Sequence, residues 1–271
     1  MRSLAGKSIV IIGGTTGLGL SAGQACVEAG AQVVLVGRNP ESAAAAAETL
    51  GSSATTLVGD AREPDTAVRA IELAQDRWGA FSGLYHVAGG SGRRYGDGPL
   101  HELTDEGWEE TLRLNLTSVF YSNRAAVRAF QALGQPGSVV NCGSVLGFSP
   151  AASFFATHAY AAAKSALTGF AKSCAASYAK EGIRFNVLAP ALVATPMSRR
   201  AQDDDRILAY ARSKQPLARN GIADASDVDG LVVFLLSDAA RGMTGQVVSV
   251  DWGWGVSEGR TETWPDTECE T

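Results

Sequence analysis

The sequence predicts an α/β protein with one doubly wound parallel sheet and helices on both faces. Short runs rich in valine, isoleucine and leucine alternate with helical segments along most of the chain. These apolar runs are continuous, which is typical of parallel strands buried on both sides. No internal repeat, linker or charge run divides the chain. We therefore expect one domain over residues 1–258, followed by a polar C-terminal tail over 259–271.

The expected elements alternate in chain order. Gly30 is the clearest boundary, because glycine commonly ends a helix. A polar, helix-prone segment over 197–219 is expected to be the mobile cover of the substrate site, although an ordinary surface helix fits the same residues. The strands are predicted at 9–12, 31–36, 55–58, 83–88, 138–142 and 184–188, and the helices at 18–29, 41–50, 64–78, 104–133 and 160–181.

Composition excludes several classes of partner. The chain has 271 residues, a net charge of −5 and a pI near 5.3, so it lacks the basic footprint that nucleic acid or an anionic membrane requires. Small soluble molecules are the expected partners. No apolar run is long enough for a membrane span, and we expect a cytoplasmic protein. The four cysteines are scattered and show no metal-ligand spacing with the three histidines, which predicts free thiols and no metal.

A glycine-rich turn lies between the first predicted strand and the first helix. Its pattern is Gly13-x-x-x-Gly17-x-Gly19. Glycines at this point allow a tight turn and let a pyrophosphate approach the helix N-terminus. The strand–turn–helix context makes this a dinucleotide-binding signal, and the expected fold is therefore Rossmann-type.

A tyrosine and a lysine four residues apart suggest proton-transfer chemistry. Tyr160 and Lys164 lie in an alanine-rich segment that favours a helix, and this spacing puts both side chains on one face. A fixed positive charge is expected to lower the tyrosine pKa towards neutrality, so that the phenol can donate or accept a proton. By itself the pair could equally belong to an ordinary surface helix.

Together with Asn115, Ser144 and the stretch 190–195, these motifs resemble the short-chain dehydrogenase/reductase family over about 7–256, including its 3-oxoacyl-[acyl-carrier-protein] reductases. The resemblance implies hydride transfer between a nicotinamide cofactor and a ketone or secondary alcohol. It also implies a homo-oligomer, either tetramer or dimer. The catalytic set it implies is Asn115, Ser144, Tyr160 and Lys164, with Asn115 holding a water in a proton relay.

The resemblance also implies where the cofactor lies. Asp60 would lie beside the adenine, although a turn or helix-capping aspartate is an equal reading. The Val193 backbone and the Thr195 hydroxyl would orient the nicotinamide carboxamide. The full implied set is Gly13, Thr15, Thr16, Gly17, Leu18, Gly19, Arg38, Asn39, Asp60, Ala61, Ala88, Gly89, Gly90, Tyr160, Lys164, Pro190, Val193 and Thr195.

The sequence departs from the family pattern at a few positions. Ile12 stands where the family usually has threonine, and Ala191 replaces a glycine. His86 and Val87 replace two asparagines. We interpret His86 as structural rather than catalytic, because the four-residue set already contains a proton donor.

The end of the second predicted strand suggests which cofactor is preferred. NAD-binding proteins place an acidic residue there, whereas this chain has Gly37-Arg38-Asn39. Gly37 is expected to leave room, and Arg38 can pair with a 2′-phosphate. The alternative is a solvated arginine. We expect NADP(H) to be preferred, with NAD(H) also possible.

Aromatic residues suggest an apolar substrate pocket. Phe148, Phe154 and Phe155 lie in the segment between Ser144 and Tyr160, which is longer than the family commonly has, and are expected to form one wall. Trp252 and Trp254 are expected to fill the pocket or an oligomer contact, because exposed paired tryptophans are costly.

Two alternatives belong to other functional classes. A nucleotide-binding sensor or scaffold could keep the fold, and it would show no turnover of NAD(P)H. A lyase or epimerase could use the same tyrosine without net redox change, and it would form product at constant nicotinamide absorbance.

Overall fold

The computed structural model describes residues 3–259 and contains, in that range, one seven-stranded sheet. The strand order is β3-β2-β1-β4-β5-β6-β7, and every neighbouring pair is parallel. This confirms the doubly wound α/β fold. The predicted tail lies outside the described residues except for Gly259. The strands are β1 (Ser8–Ile12), β2 (Gln32–Gly37), β3 (Ala54–Val58), β4 (Gly83–His86), β5 (Gly137–Cys142), β6 (Ile183–Pro190) and β7 (Val247–Val250).

Helices cover both faces of this sheet. Long helices connect successive strands, and short ones lie in the segments after β5 and β6. The helices within the described range are α1 (Gly17–Glu28), α2 (Pro40–Leu50), α3 (Thr66–Trp78), α4 (Asp105–Leu112), α5 (Ser118–Leu133), α6 (Ala152–Phe155), α7 (His158–Tyr178), α8 (Arg199–Gln202), α9 (Asp205–Lys214) and α10 (Asp229–Leu236).

The core has two halves, one on each side of the sheet. Alternate residues of β1 pack into the two halves of the core, because successive side chains of a strand point to opposite faces. Val10 and Ile12 pack on the side of α3, α5 and α7. Ile9 and Ile11 pack on the side of α1 and α10. A strand buried on both faces must be apolar throughout, which explains the continuous runs in the sequence.

The order in which strands are added to the sheet reverses at β1, which lies between β2 and β4. Ile12 is opposite Val36 on one side and His86 on the other. The carboxyl ends of these strands therefore meet at one edge, with the crossover connections diverging to either side. In open α/β sheets this is the point where ligands bind.

Several predicted boundaries differ from the structure. β4 ends at His86 rather than residue 88, because the amides of Val87 and Ala88 both donate to the Ile12 carbonyl. The expected single helix over 104–133 is divided by a π-helical turn, Arg113–Thr117. Neither α10 nor β7 was predicted from the sequence. Cys26, Cys142 and Cys174 are free thiols, as expected, while Cys269 lies outside the described range.

A pair of buried amides joins α5 to β5. Asn123 Nδ2 donates to Asn141 Oδ1 at 2.9 Å, and Asn141 Nδ2 donates to Asn123 Oδ1 at 2.8 Å. Both residues are fully covered by protein, being at most 1% exposed. Buried amides are stable only when paired, so this contact fixes the helix against the strand that leads to Ser144.

We predict that Asn141→Ala lowers the free energy of unfolding by about 1–3 kcal/mol, because it leaves the Asn123 amide buried without its partner. Urea denaturation measures this directly. A double Asn123→Leu, Asn141→Leu variant removes both polar groups at similar volume and should recover much of the loss. A single variant within about 0.5 kcal/mol of the wild type would contradict this role.

Candidate active site

A cavity of about 450 Å³ opens along the carboxyl edge of the sheet. The glycine turn after β1 forms one part of it, and Ser144, Tyr160 and Lys164 form another. Nearly all residues proposed from the sequence line it, and the exceptions are Gly90 and Asn115. The structure therefore brings the residues of the predicted cofactor site and the predicted proton-transfer site into a single space.

The glycine turn forms a cradle made of backbone. A Cβ added at Gly13 would lie 2.6 Å from the Ala88 nitrogen, and one at Gly19 would lie 2.1 Å from the Gly13 carbonyl oxygen. Gly13 also has a φ of 91°, which favours glycine. Thr16 precedes α1 without a side-chain cap, so the helix N-terminal amides face the cavity unpaired by a side chain. This arrangement fits a pyrophosphate.

Asp60 is held by a neighbouring arginine. Its Oδ1 accepts from the Arg62 backbone amide at 2.9 Å, and its Oδ2 accepts from the Arg62 guanidinium at 2.8 Å. Partial burial raises the pKa of Asp60, but these hydrogen bonds outweigh it and the pKa is lowered overall. Both readings of Asp60 thus have support, because it forms a turn and also lines the cavity.

The end of β2 is more closely packed than the sequence suggested. A Cβ at Gly37 would lie 2.0 Å from Thr15 Oγ1, so the room expected there is absent. Arg38 is half-exposed, with its guanidinium 4.0 Å from Asp60 Oδ2. Asn39 caps α2 by accepting from the Ser42 amide at 2.8 Å. Ser42 also lines the cavity. Its position three residues after Asn39, in the cap of α2, could have indicated this from the sequence.

Lys164 is buried and bound to the end of β5. Its Nζ donates to the Cys142 carbonyl oxygen at 2.7 Å and lies 5.6 Å from the centroid of the Tyr160 ring. Burial lowers the pKa of Lys164. The predicted pairing of the two side chains on one helix face is therefore present, with the ammonium fixed by the sheet.

The Tyr160 pKa shifts in the direction opposite to the one expected from the sequence. Burial raises the pKa of Tyr160, and the hydrogen bond with the Ser144 hydroxyl acts against this shift. The expected lowering was wrong because the phenol is only 9% exposed and desolvation of a phenolate outweighs its neighbours. The phenol therefore carries its proton at neutral pH.

Ser144 follows β5 directly and faces the cavity. Its Oγ accepts a hydrogen bond from the Leu146 amide at 3.2 Å, which caps the short turn Val145–Gly147. The hydroxyl proton is not used in this contact. Ser144 can therefore donate to a substrate oxygen while its own position is fixed.

Asn115 lies in the π-helical turn and binds the backbone of Gly90. Its Oδ1 accepts from the Gly90 amide at 3.1 Å, and its Nδ2 donates to the carbonyls of Gly90 and Thr111, each at 2.9 Å. The side chain thus fixes the segment after β4. Its predicted part in a water relay stays a prediction.

Asp97 is a functional candidate that the sequence reasoning missed. It is 4% exposed, and its two carboxylate oxygens accept from the backbone amides of Ala159 and Tyr160, each at 3.0 Å. These amides belong to the first turn of α7, where a negative charge is favourable. A loop distant in sequence therefore positions the helix that carries Tyr160, and no local pattern could have indicated it.

His86, the last residue of β4, is buried against α5. Its Nδ1 lies 2.7 Å from Ser122 Oγ and its Nε2 lies 3.3 Å from Ser118 Oγ. Burial, and then the charge of Lys164, lowers the pKa of His86 to about 3. A neutral histidine with both nitrogens in contact with hydroxyls supports the structural interpretation.

The apolar wall is smaller than predicted. Phe155 and Trp254 line the cavity with ring centroids 5.9 Å apart in an edge-to-face contact. Phe148 is half-exposed, and neither it nor Phe154 lines the cavity. Trp252 packs on the α1 and α10 side of the sheet. Of the five aromatic residues expected at the pocket, Phe155 and Trp254 therefore line the cavity.

The segment after β6 closes another side of the cavity. Pro190, Val193 and Thr195 all line it. Ser198 Oγ accepts from the Thr195 amide at 3.0 Å and donates to the Val193 carbonyl at 2.6 Å. These bonds fix the backbone that the family resemblance assigns to the nicotinamide carboxamide.

In the part of the chain that the structure describes, no helix is long and apolar enough to cross a membrane. Over the same residues, no three or more His, Cys, Asp or Glu side chains are grouped so that they could hold a metal ion.

Comparison with known proteins gives consistent matches along the chain. Residues 13–255 match a family model described as Enoyl-(Acyl carrier protein) reductase. Momilactone A synthase of Oryza sativa is 34% identical over 94% of this chain and 92% of its own. The 3-oxoacyl-[acyl-carrier-protein] reductase of Vibrio harveyi is 30% identical over 93% and 98%. A short-chain type dehydrogenase/reductase structure from Mycobacterium ulcerans superposes with a TM-score of 0.86 at 29% identity, covering 94% and 92%.

The chain belongs to the short-chain dehydrogenase/reductase family. It is therefore an oxidoreductase of a family that uses NAD(P) cofactors and acts on small molecules. The backbone cradle and the buried tyrosine and lysine described above are consistent with this membership.

We predict that Asp97→Asn lowers kcat about tenfold, because the α7 N-terminus loses a charged acceptor and Tyr160 is displaced slightly. Cofactor affinity, measured by fluorescence titration, should change little, since Asp97 does not line the cavity. Asp65→Asn is the matched control, as that carboxylate is exposed at 67%. Equal kcat values for Asp97→Asn and wild type would contradict a positioning role.

Proposed function

We propose that this protein transfers a hydride between NADP(H) and a ketone or secondary alcohol, with Tyr160 as general acid and base. The observation that carries the proposal is the meeting of Ser144, Tyr160 and Lys164 in the same cavity as a backbone cradle for a pyrophosphate. When bound, the nicotinamide supplies the hydride chemistry.

The residues around the cavity divide the task of holding the cofactor. The glycine turn would hold the pyrophosphate, and Arg38 with Ser42 would meet a 2′-phosphate. Val193 and Thr195 would meet the carboxamide, and Lys164 the nicotinamide ribose. Asp60 and Ala61 line the cavity beside Arg38, where the adenine would lie.

The proton-transfer step follows from the geometry around Tyr160. The Ser144 hydroxyl donates to the substrate oxygen and orients it towards the phenol. In reduction Tyr160 gives its proton to that oxygen, and the fixed ammonium of Lys164 stabilises the phenolate that remains. In oxidation the phenolate takes the proton from the alcohol. Phe155 and Trp254 restrict water on the substrate side.

The names of similar proteins support this substrate class. They include a 2-dehydro-3-deoxy-D-gluconate 5-dehydrogenase from Escherichia coli and a gluconate 5-dehydrogenase from Gluconobacter oxydans. Each name describes oxidation of an alcohol to a carbonyl. We also expect a cytoplasmic homo-oligomer, tetramer or dimer, and light scattering of the purified protein would measure its mass.

We predict that Tyr160→Phe lowers kcat by at least about a thousandfold, because the only proton donor of the mechanism is removed. Affinity for NADPH should stay within a few-fold, since the ring is kept. Turnover of a panel of ketones with NADPH, followed at the nicotinamide absorbance, measures the first effect. A variant that keeps most of its activity would rule out this mechanism.

The raised pKa of Tyr160 adds a pH dependence to the same prediction. The phenol stays protonated through neutral pH, so ketone reduction should hold its rate there and decline only at alkaline pH. Alcohol oxidation requires the phenolate and should accelerate as the pH rises. The opposite slopes in the wild type would contradict Tyr160 as the titrating group.

We predict that the wild type prefers NADPH to NADH and that Arg38→Gln reduces this preference about ten- to a hundredfold, the value of a charge-assisted hydrogen bond. The measurement is the ratio of kcat/KM for the two cofactors. Arg69→Gln is the control, since that exposed guanidinium is paired with Asp65 and does not line the cavity. An unchanged ratio in Arg38→Gln would mean that Arg38 points to solvent.

A further inference from the structure

Two arginines from separate segments meet at the substrate end of the cavity. Arg93 lies in the turn Arg93–Tyr95 after β4, and Arg200 lies in α8 after β6. Both donate to the same acceptor, the carbonyl oxygen of Phe154, at 3.2 Å and 2.9 Å respectively. Both also line the cavity. The two positive charges are therefore close together, in the wall of the same cavity that Tyr160 lines.

The guanidinium groups of Arg93 and Arg200 carry more positive charge than the contacts around them neutralise. Each guanidinium has five N–H donors, and each spends one of them on the Phe154 carbonyl. Among residues 3–259 neither arginine forms an ion pair, whereas Arg62 and Arg206 each have a carboxylate at 2.8 to 3.0 Å. A single neutral carbonyl does not balance two cations.

The surroundings of the pair support the same conclusion. Burial, and then the charge of Arg200, lowers the pKa of Arg93, while Asp97 acts in the opposite direction. Asp97 is already bound to the amides of Ala159 and Tyr160, so it is not available as a direct partner. An anion placed between the two guanidinium groups would relieve their repulsion.

We propose that Arg93 and Arg200 form a subsite for an oxyanion group of the substrate, either a carboxylate or a phosphate, at the end away from the reacting carbonyl. This inference rests on the proposed function. The guanidinium carbon of Arg200 lies 6.0 Å from the centroid of the Phe155 ring, so the charged subsite is continuous with the apolar wall. The substrate class is therefore a ketone or alcohol with an apolar body and an anionic end.

Two matched pairs of ketones test the proposal. The first pair is 4-oxocyclohexanecarboxylate and its methyl ester, and the second is dihydroxyacetone phosphate and dihydroxyacetone. We expect the wild type to favour the anionic member of at least one pair by about ten- to a hundredfold in kcat/KM. The pair that shows the preference identifies the oxyanion as carboxylate or phosphate.

The variants are Arg93→Gln, Arg200→Gln and their combination. The double variant should lose at least about tenfold of the anionic preference, mainly through KM for the ketone. Arg94→Gln with Arg199→Gln is the matched control, because these neighbours carry the same charges but do not line the cavity. The proposal is overturned by a wild type without anionic preference, or by a double variant that keeps it. It is also overturned if the double variant raises KM for NADPH instead, since the arginines would then serve the cofactor.

A binding measurement separates this inference from the proposed function. Calorimetry with cyclohexanecarboxylate and the neutral cyclohexanecarboxamide needs no turnover. If no ketone is reduced but the carboxylate binds more tightly and only with both arginines present, the proposed function fails and the subsite stands. If ketones are reduced and the two ligands bind equally, the function stands and the subsite fails.

Discussion

The proposed substrate end of the cavity depends on one buried ammonium group. A cation out of water needs strong acceptors, and Lys164 finds one in the carbonyl oxygen of Cys142, at 2.7 Å. This bond joins α7 to the last residue of β5. Ser144 follows that residue by two positions, and Tyr160 precedes the lysine by about one helical turn. A contact that neither of them makes therefore helps to set the relative position of the serine and the tyrosine.

The two ends of the cavity are built from different parts of the chain. The proposed cofactor end is mainly backbone, where glycines remove the side chains that would block a pyrophosphate. The proposed substrate end is made of side chains from β5, α7 and the segments before and after them. Backbone recognition suits a ligand common to a whole family, whereas side chains can change one at a time.

This difference decides what the sequence could predict. The glycine turn and the Tyr160–Lys164 spacing are local patterns, so their position and fold context were predictable. Asp97 binds the first turn of α7 from a loop about sixty residues earlier, and nothing in its neighbourhood indicates that partner. The four residues of β7, none of them fully buried, likewise give too weak a periodic signal.

Burial was the other quantity that the sequence could not supply. The spacing of Tyr160 and Lys164 indicated an attractive charge but not the desolvation that reverses the direction of the pKa shift. Gly37 was expected to leave room because it carries no side chain. Its neighbour in space is the Thr15 side chain, from the adjoining turn. Both errors concern packing between segments rather than the chemistry of single residues.

The π-helical turn at Arg113–Thr117 has a consequence for how this family can diverge. A turn closed by i→i+5 hydrogen bonds accommodates one residue more than an α-helical turn. Deleting one residue there would restore an ordinary helix and leave Ser118, Ser122 and Asn123 facing β4 and β5, while Asn115 within the turn would lose its placement against Gly90. A single-residue gap within this turn, in an alignment of relatives, would therefore mark a lineage that has kept the helix interface and given up the Asn115–Gly90 contact.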